Sequence, residues 1–394
     1  MILHLIPDEK FIDGSKDLFE EVAPGLHRYV LLTDSGQPTR YIRTFVPERS
    51  NPVNLFLSPN YLTDLQAVFV HYLSRQARIA LAALPHDIPI VWFGWGRDYG
   101  HLIGSRHQLF RPSTLDFVRR SPGEQMQLSR AEQLLMRVET VFGQRAASAG
   151  TRLHQVWQRI RDPICNDRRL LTRVRYFVPV ISDDWDLIQA RQAWFTPEVL
   201  RWNYPCLEEV IDDVDKSGGS VGNDVMLGNS ATPENNHLDL LKELRPLIQS
   251  GQRIYCPLSY GDAAYGDKVA SEGARLYGDR FVPLREFLPL LDYLTILRSC
   301  STVIMPHLRQ QAMGNIFMML YAGSQVILDA RNPAFHFLRR IGLSVSELSS
   351  LQTPLSRPTA AQLTSVRNIL RENFGRAACV KHTAALLSEV IGEA

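Results

Sequence analysis

The segment from His307 to Pro333 reads HLRQQAMGNIFMMLYAGSQVILDARNP. It places an arginine, two glutamines, a glycine and an asparagine directly ahead of an almost wholly apolar run. That is the make-up of a turn opening a helix buried on all sides. Unpaired N–H groups at such a helix start carry partial positive charge and suit phosphate. Arg309 can pair bidentately with a diphosphate. Gln310, Gln311 and Asn315 can hydrogen-bond sugar hydroxyls and a ribose, and Gly314 lets a ligand approach the backbone. The same residues would also satisfy an ordinary exposed turn, so each carries two readings.

Two further loops have this character. In LGNSATPENNH, Gly228, Asn229 and Ser230 follow an apolar run and precede a helical pattern. Capping accounts for Thr232-Pro233-Glu234 but not for a glycine at 228. In PLSYGDAAYGD, Tyr260 and Tyr265 are candidates for stacking on a base. In the first half, FGWGRDYGH offers Asp98 just past a strand end, with His101 nearby. Asp98 is the candidate general base, the alternative being a partner for Arg97 or a turn cap.

Positioning these loops requires alternating strands and helices. MILHLI and NPVNLFLS read as strands, a helical pattern runs from about Leu62 to Leu84, and IPIVWFGWG is β-rich. Helices are expected from about Pro112 to Arg161, followed by the strand RYFVPVIS and the helix DDWDLIQARQAW. After Glu209–Asp224, acidic and then rich in Gly and Ser, the alternation restarts through DVMLGNS, QRIYCPLSY, RFVPL, STVIMPH and QVILD. This is an α/β chain with parallel sheets. At 394 residues it exceeds one ordinary core. The expected layout is a first domain at 1–208, a linker at 209–224, a second domain at 225–370 and a further C-terminal helix at 371–394.

A net charge of +2 gives no argument for a nucleic-acid partner. Arg97 to Arg175, however, holds fifteen arginines, no lysine and seven acids, an excess of about +8 that suits phosphates, an anionic membrane surface or plain solvent. Five scattered cysteines, without C-x-x-C or H-E-x-x-H spacing, point away from disulfides and zinc. No apolar run is long enough to span a bilayer, and MILHLIPDEKF is unlike a signal peptide. The expectation is a cytoplasmic protein, at the inner face of the cytoplasmic membrane.

LGNSATPENNH, CPLSYGD, HLRQQAMGN and ILDARNP together resemble the N-acetylfucosaminyltransferases that build enterobacterial common antigen. The resemblance covers roughly Met226 to Pro333. WGRDYG is a fainter match to that family's W-G-x-D-L-Y. The R-Q-Q pattern with a following glycine falls on Arg309, Gln310, Gln311 and Gly314, and G-N-S falls on Gly228, Asn229 and Ser230. The resemblance implies the GT-B fold, two Rossmann-like domains facing across a cleft. It also implies transfer of N-acetylfucosamine from a thymidine-diphosphate donor to a polyprenyl-diphosphate-linked glycan, without cofactor or metal. Many GT-B enzymes hold the donor ribose with a glutamate in the helix after the glycine turn. IFMMLYAG has no acid there, so Gln310 or Gln311 would take that part.

Rival readings rest on other motifs. GWGRDYG hints at a dinucleotide fingerprint, but no clean helix follows it. The D-x-D pairs at Asp184–Asp186 and Asp213–Asp215 are the metal-binding signature of GT-A transferases, though acids are usual at helix starts. A nucleotide-sugar epimerase and a non-catalytic lipid-linked-sugar binder remain alternatives.

Overall fold

The computed structural model describes the chain apart from residues 34, 122–167, 205, 218–221, 351–357 and 393–394. Much of the arginine-rich 97–175 segment, and most of the helices expected to 161, lie outside the described residues. The chain divides into two compact units. One comprises Met1–Gly104 with the described parts of Val141–Cys206 and Asn373–Ala394. The other comprises the described parts of Ser105–Thr140 and Leu207–Glu372.

The first unit is built on β1 (Ile2–Ile6), β2 (His27–Leu32), β3 (Glu48–Ser50), β4 (Ala67–His71), β5 (Ile90–Phe93), β6 (Val174–Val178) and β7 (Glu198–Val199). Their order is β3-β2-β1-β4-β5-β6-β7, every pairing parallel. β1, β4 and β5 are buried along their whole length, as parallel strands covered on both faces must be. β4 corrects the helix expected from Leu62 to Leu84, where only Arg75–Ala82 is α-helical. AVFVH is a continuous apolar run, and periodicity cannot tell such a strand from a buried helix. NPVNLFLS likewise forms a 3-10 turn at Leu55–Leu57, because prolines at 52 and 59 remove N–H donors a strand would need. Helix Arg376–Ile391 packs on helix Ile12–Val22.

The second unit carries β8 (Asp224–Leu227), β9 (Ile254–Pro257), β10 (Phe281–Leu284), β11 (Cys300–Met305), β12 (Gln325–Leu328) and β13 (Ser346–Glu347). Their order is β10-β9-β8-β11-β12-β13, again all parallel. Within the segment expected to be a linker, Glu208–Ser217 forms a helix that packs on helices Met313–Ala322 and Leu290–Ser299. Helix Pro112–Arg120 belongs to this unit although it lies far upstream in sequence. Asp239 holds its start, accepting from Ser113 N (2.7 Å), Thr114 N (3.0 Å) and the Thr114 hydroxyl (2.7 Å).

In both sheets the strand order reverses beside the first strand of the unit, between β1 and β4 and between β8 and β11. Ligands of open parallel sheets bind beyond the carboxyl ends of the strands at such reversals.

Candidate functional site

At the β8–β11 reversal four predicted or neighbouring side chains meet. Gly228 leaves β8 with φ +70°. A Cβ at that position would stand 2.3 Å from His237 Nε2 and 2.7 Å from Asn235 Oδ1, so both conformation and space demand glycine. Asn229 then turns inward. Its Oδ1 accepts from Gln311 Nε2 and His307 Nε2, each at 3.0 Å, while its Nδ2 donates to the Tyr260 hydroxyl at 3.2 Å. Asn235 Oδ1 accepts from the Asn229 backbone N–H (2.9 Å) and from His307 Nε2 (2.8 Å). With two carbonyl oxygens at His307 Nε2, that nitrogen carries the proton and Nδ1 is the bare one. Burial, reinforced by the Arg309 charge and by His237, pushes the His307 pKa well down, so the ring is neutral. Ser230, fully buried, accepts from Asn235 Nδ2 at 3.1 Å.

The β11 loop brings the remaining candidates. Ala312 caps helix Met313–Ala322 in the left-handed conformation, φ +58° and ψ 32°. For a non-glycine residue this is a strained setting of a kind that gathers at functional sites. Asn236 takes the same conformation ahead of helix His237–Glu243. Arg309 is half-buried, with one Nη1 bond to the Gln310 carbonyl at 2.9 Å. Gln310 is buried; Gln311, Gly314 and Asn315 are half-buried. A Cβ on Gly314 would meet only Val210 Cγ1, at 3.9 Å, so the space above it is open. Met318 sits in the buried helix.

The tyrosines divide. Tyr265 is fully buried and accepts from the His237 N–H at 2.9 Å, which makes it core and not a stacking surface. Tyr260 is 48% exposed and lies parallel to Phe287, ring centroids 6.0 Å apart. Phe287, Asn235 and His307 escape the sequence reading. The ENNH cluster and a histidine after the strand-ending Met305-Pro306 are the signals available for the last two. Asp329 of ILDARNP pairs with Arg111 at 2.8 Å and Arg331 at 2.7 Å. Burial alone would raise its pKa, but these two guanidiniums hold it down to about 2.

In the first unit Asp98 is buried and saturated. Oδ2 accepts from Leu73 N (3.0 Å) and Trp92 Nε1 (2.8 Å), and Oδ1 from Trp95 N (2.8 Å). Burial raises its pKa against the opposing pull of these three donors. His101 is driven by burial down to about 3. GWGRDYG is the loop Asp98 holds, with Gly96 at φ +89°. Asp184 of the first D-x-D is buried at the start of helix Ser182–Arg191 and accepts from the Tyr99 hydroxyl at 2.5 Å. Asp213 and Asp215 fall inside helix Glu208–Ser217.

A cavity of about 370 Å³ opens at the β1–β4 reversal of this unit. Asp8, Thr33, Gln37, Arg49, Tyr72 and Gln76 are among its lining residues, an amide- and hydroxyl-rich wall. Burial would raise the Asp8 pKa, but the N–H groups of Arg40, Tyr41 and Ile42 lower it overall. Tyr72, just past the carboxyl end of β4, stands at φ +71°, a left-handed setting like those of Ala312 and Asn236. Among the described residues no group of three His, Cys, Asp or Glu is placed to hold a metal ion. None of their helices is long and apolar enough to cross a membrane.

Residues 207–374 match the family described as 4-alpha-L-fucosyltransferase glycosyl transferase group 56. A curated protein named "Probable protein kinase UbiB", from Edwardsiella ictaluri (strain 93-146), is 29% identical over 218 residues, which are 54% of this chain. The chain spans only 38% of that protein's length. Among solved structures, a glycosyltransferase involved in avilamycin A biosynthesis aligns over 100% of this chain and 98% of its own, with TM-score 0.51 and 12% identity. The UDP-forming alpha,alpha-trehalose-phosphate synthase of Burkholderia xenovorans aligns over 99% of both chains, with TM-score 0.55 and 9% identity. Sucrose-phosphate synthase from Thermosynechococcus elongatus aligns over 99% and 98%, with TM-score 0.53 and 10% identity. The chain has the GT-B fold of these glycosyltransferases, and the fold with the group 56 match supports a glycosyltransferase using a nucleotide-sugar donor.

Proposed function

We propose that the chain moves a deoxy-amino sugar of the N-acetylfucosamine type from a thymidine-diphosphate donor to a polyprenyl-diphosphate-linked glycan. The observation that carries this reading is the convergence of Asn229, Asn235, His307 and Gln311 at the β8–β11 reversal, inside the segment matching the fucosyltransferase family. In this reading the donor diphosphate meets the N–H groups at the start of helix Met313–Ala322, with Gly314 leaving room and Arg309 supplying charge. Gln310, Gln311 and Asn315 hold ribose and sugar hydroxyls, and the Tyr260–Phe287 pair offers a face to the base. Breaking the sugar–phosphate bond throws negative charge onto the diphosphate. Arg309 and the helix N–H groups stabilise that charge without a metal.

The first unit's cavity takes the acceptor glycan, whose hydroxyls suit its amide, hydroxyl and guanidinium lining. Asp98 belongs to positioning here and not to proton transfer. With three donors on its two oxygens, it fixes the loop carrying Trp95. A polyprenyl-linked acceptor would keep the protein at a membrane's inner face as a peripheral partner.

The reading is tested by offering TDP-N-acetylfucosamine or a UDP-hexose, with a lipid-linked amino-sugar disaccharide, in magnesium and in EDTA. The expected result is addition of one N-acetylfucosamine mass from the TDP donor alone, undiminished by EDTA. Transfer only from the UDP-hexose, or only with magnesium, would overturn the corresponding part.

A further inference from the structure

The first unit's cavity is bounded by two segments of different build. β1 lies between β2 and β4 in the sheet, so the stretches that leave β2 and β4 reach the cavity from either side of it. The β4 side is a helix start. Ser74 caps helix Arg75–Ala82, its hydroxyl oxygen accepting from Ala77 N at 3.1 Å, and Tyr72, Ser74 and Gln76 line the cavity there. The β2 side has no such support. Residues 35–45 contain neither helix nor strand, yet Ser35, Gln37, Pro38 and Thr39 line the cavity from this side.

Three ionised side chains stand in for secondary structure in that loop. Asp8, just past the end of β1, gathers three successive backbone N–H groups. Its Oδ2 accepts from Arg40 N (2.6 Å), and its Oδ1 from Tyr41 N (2.9 Å) and Ile42 N (3.1 Å). Successive N–H groups form a concavity that suits an anion, and here the chain's own carboxylate fills it. Arg49, in β3, donates from Nη1 to the Ser35 carbonyl and from Nη2 to the Gln37 carbonyl, each at 2.6 Å. Asp13, in helix Ile12–Val22, takes the far limb, accepting from Arg43 N (2.9 Å), Thr44 N (3.3 Å) and the Thr44 hydroxyl (2.9 Å). Asp8 and Arg49 are lining residues of the cavity; Asp13 is not.

Each side also brings one side-chain amide. Gln37 and Gln76 are both exposed, both line the cavity, and have no hydrogen-bond partner among the described residues. An amide offers a carbonyl acceptor and two donors, which match the donors and acceptors of sugar hydroxyl and acetamido groups. We propose that Gln37 and Gln76 select the terminal sugar of the acceptor, and that Asp8 is the positioning residue that keeps Gln37 in place. This rests on reading the first unit's cavity as the acceptor site. Gln76 is fixed by its helix, whereas Gln37 stands where Asp8 and Arg49 hold its loop. Removing the Asp8 charge frees the limb at 40–42, and the loop must then be ordered each time the acceptor binds. That ordering weakens acceptor binding and leaves the donor site and the chemical step as they were.

The test is steady-state kinetics with TDP-N-acetylfucosamine and a lipid-linked amino-sugar disaccharide. Gln37→Ala and Gln76→Ala, both at exposed positions, should each raise the acceptor KM about three- to tenfold, the scale of one lost hydrogen bond, with kcat and donor KM unchanged. Asp8→Asn should raise the acceptor KM at least as far. Asp13→Asn removes the same kind of carboxylate clamp from the limb outside the cavity and should leave the acceptor KM unchanged. A wild-type acceptor KM in Gln37→Ala, Gln76→Ala or Asp8→Asn, or one raised by Asp13→Asn as far as by Asp8→Asn, refutes the proposal and leaves the transferase standing. A wild type that binds TDP but transfers no sugar to this acceptor refutes the acceptor reading, and the proposal with it.

Discussion

Gly228 is the residue on which the second unit's loop turns. Any side chain there meets a positive φ and the His237 ring together. Gly228→Ala should cost on the order of 1–3 kcal/mol, read as a lower midpoint of urea unfolding, and should weaken nucleotide binding. An unchanged midpoint would mean that the loop relaxes freely. Asp98→Asn separates positioning from catalysis. The amide nitrogen would face N–H donors, so stability should fall by about 1–3 kcal/mol. A purely catalytic Asp98 would instead lose kcat at unchanged stability. The buried histidines set a pH dependence. Their folded pKa values lie below the unfolded value, about 4 for His27 and about 3 for His71, His101 and His237. Below about pH 6.5 the unfolded chain therefore binds protons that the folded chain refuses. Stability should be full above that pH and fall steadily toward pH 4, as denaturant midpoints at pH 7.5, 6 and 5 would show; a flat series would contradict it.

At the scale of elements, the β8–β11 loops were legible because glycine, amides and arginine stand at a strand's end in a recognisable order. So was the parallel α/β character, since strand and helix patterns alternate clearly from Asp224 onward. β4 was not legible, because a strand buried on both faces has no period of two. Helix Pro112–Arg120 could not be assigned to the second unit, because its anchors, Asp239, Asn236 and Asp329, are more than a hundred residues away. The Asp98 donors were equally hidden: Leu73 and Trp92 reach it only once β4 and β5 are paired. The Arg111–Asp329 pair ties Pro112–Arg120 to the β12 end, both side chains largely buried. Asp329→Asn leaves the Arg111 charge without its closest partner there and should destabilise the second unit by about 3 kcal/mol. Limited proteolysis between 105 and 121 would detect the loosening. Because its folded pKa is depressed, the Asp329 contribution is present above about pH 4 and lost as pH falls toward 2.

At the scale of the whole molecule, the same strand order serves both units, and each sheet reverses where polar side chains and strained backbone collect. Tyr72 marks that place in the first unit, and Ala312 and Asn236 mark it in the second. The central claim is that the second unit's reversal is the nucleotide-sugar site. Its most direct test is calorimetric titration of TDP, in EDTA, into the wild type, Arg309→Ala and Asn229→Ala. Binding by the wild type, weakened at least tenfold by each substitution, is the result expected. TDP binding that survives both substitutions unchanged would place the nucleotide elsewhere and contradict the account.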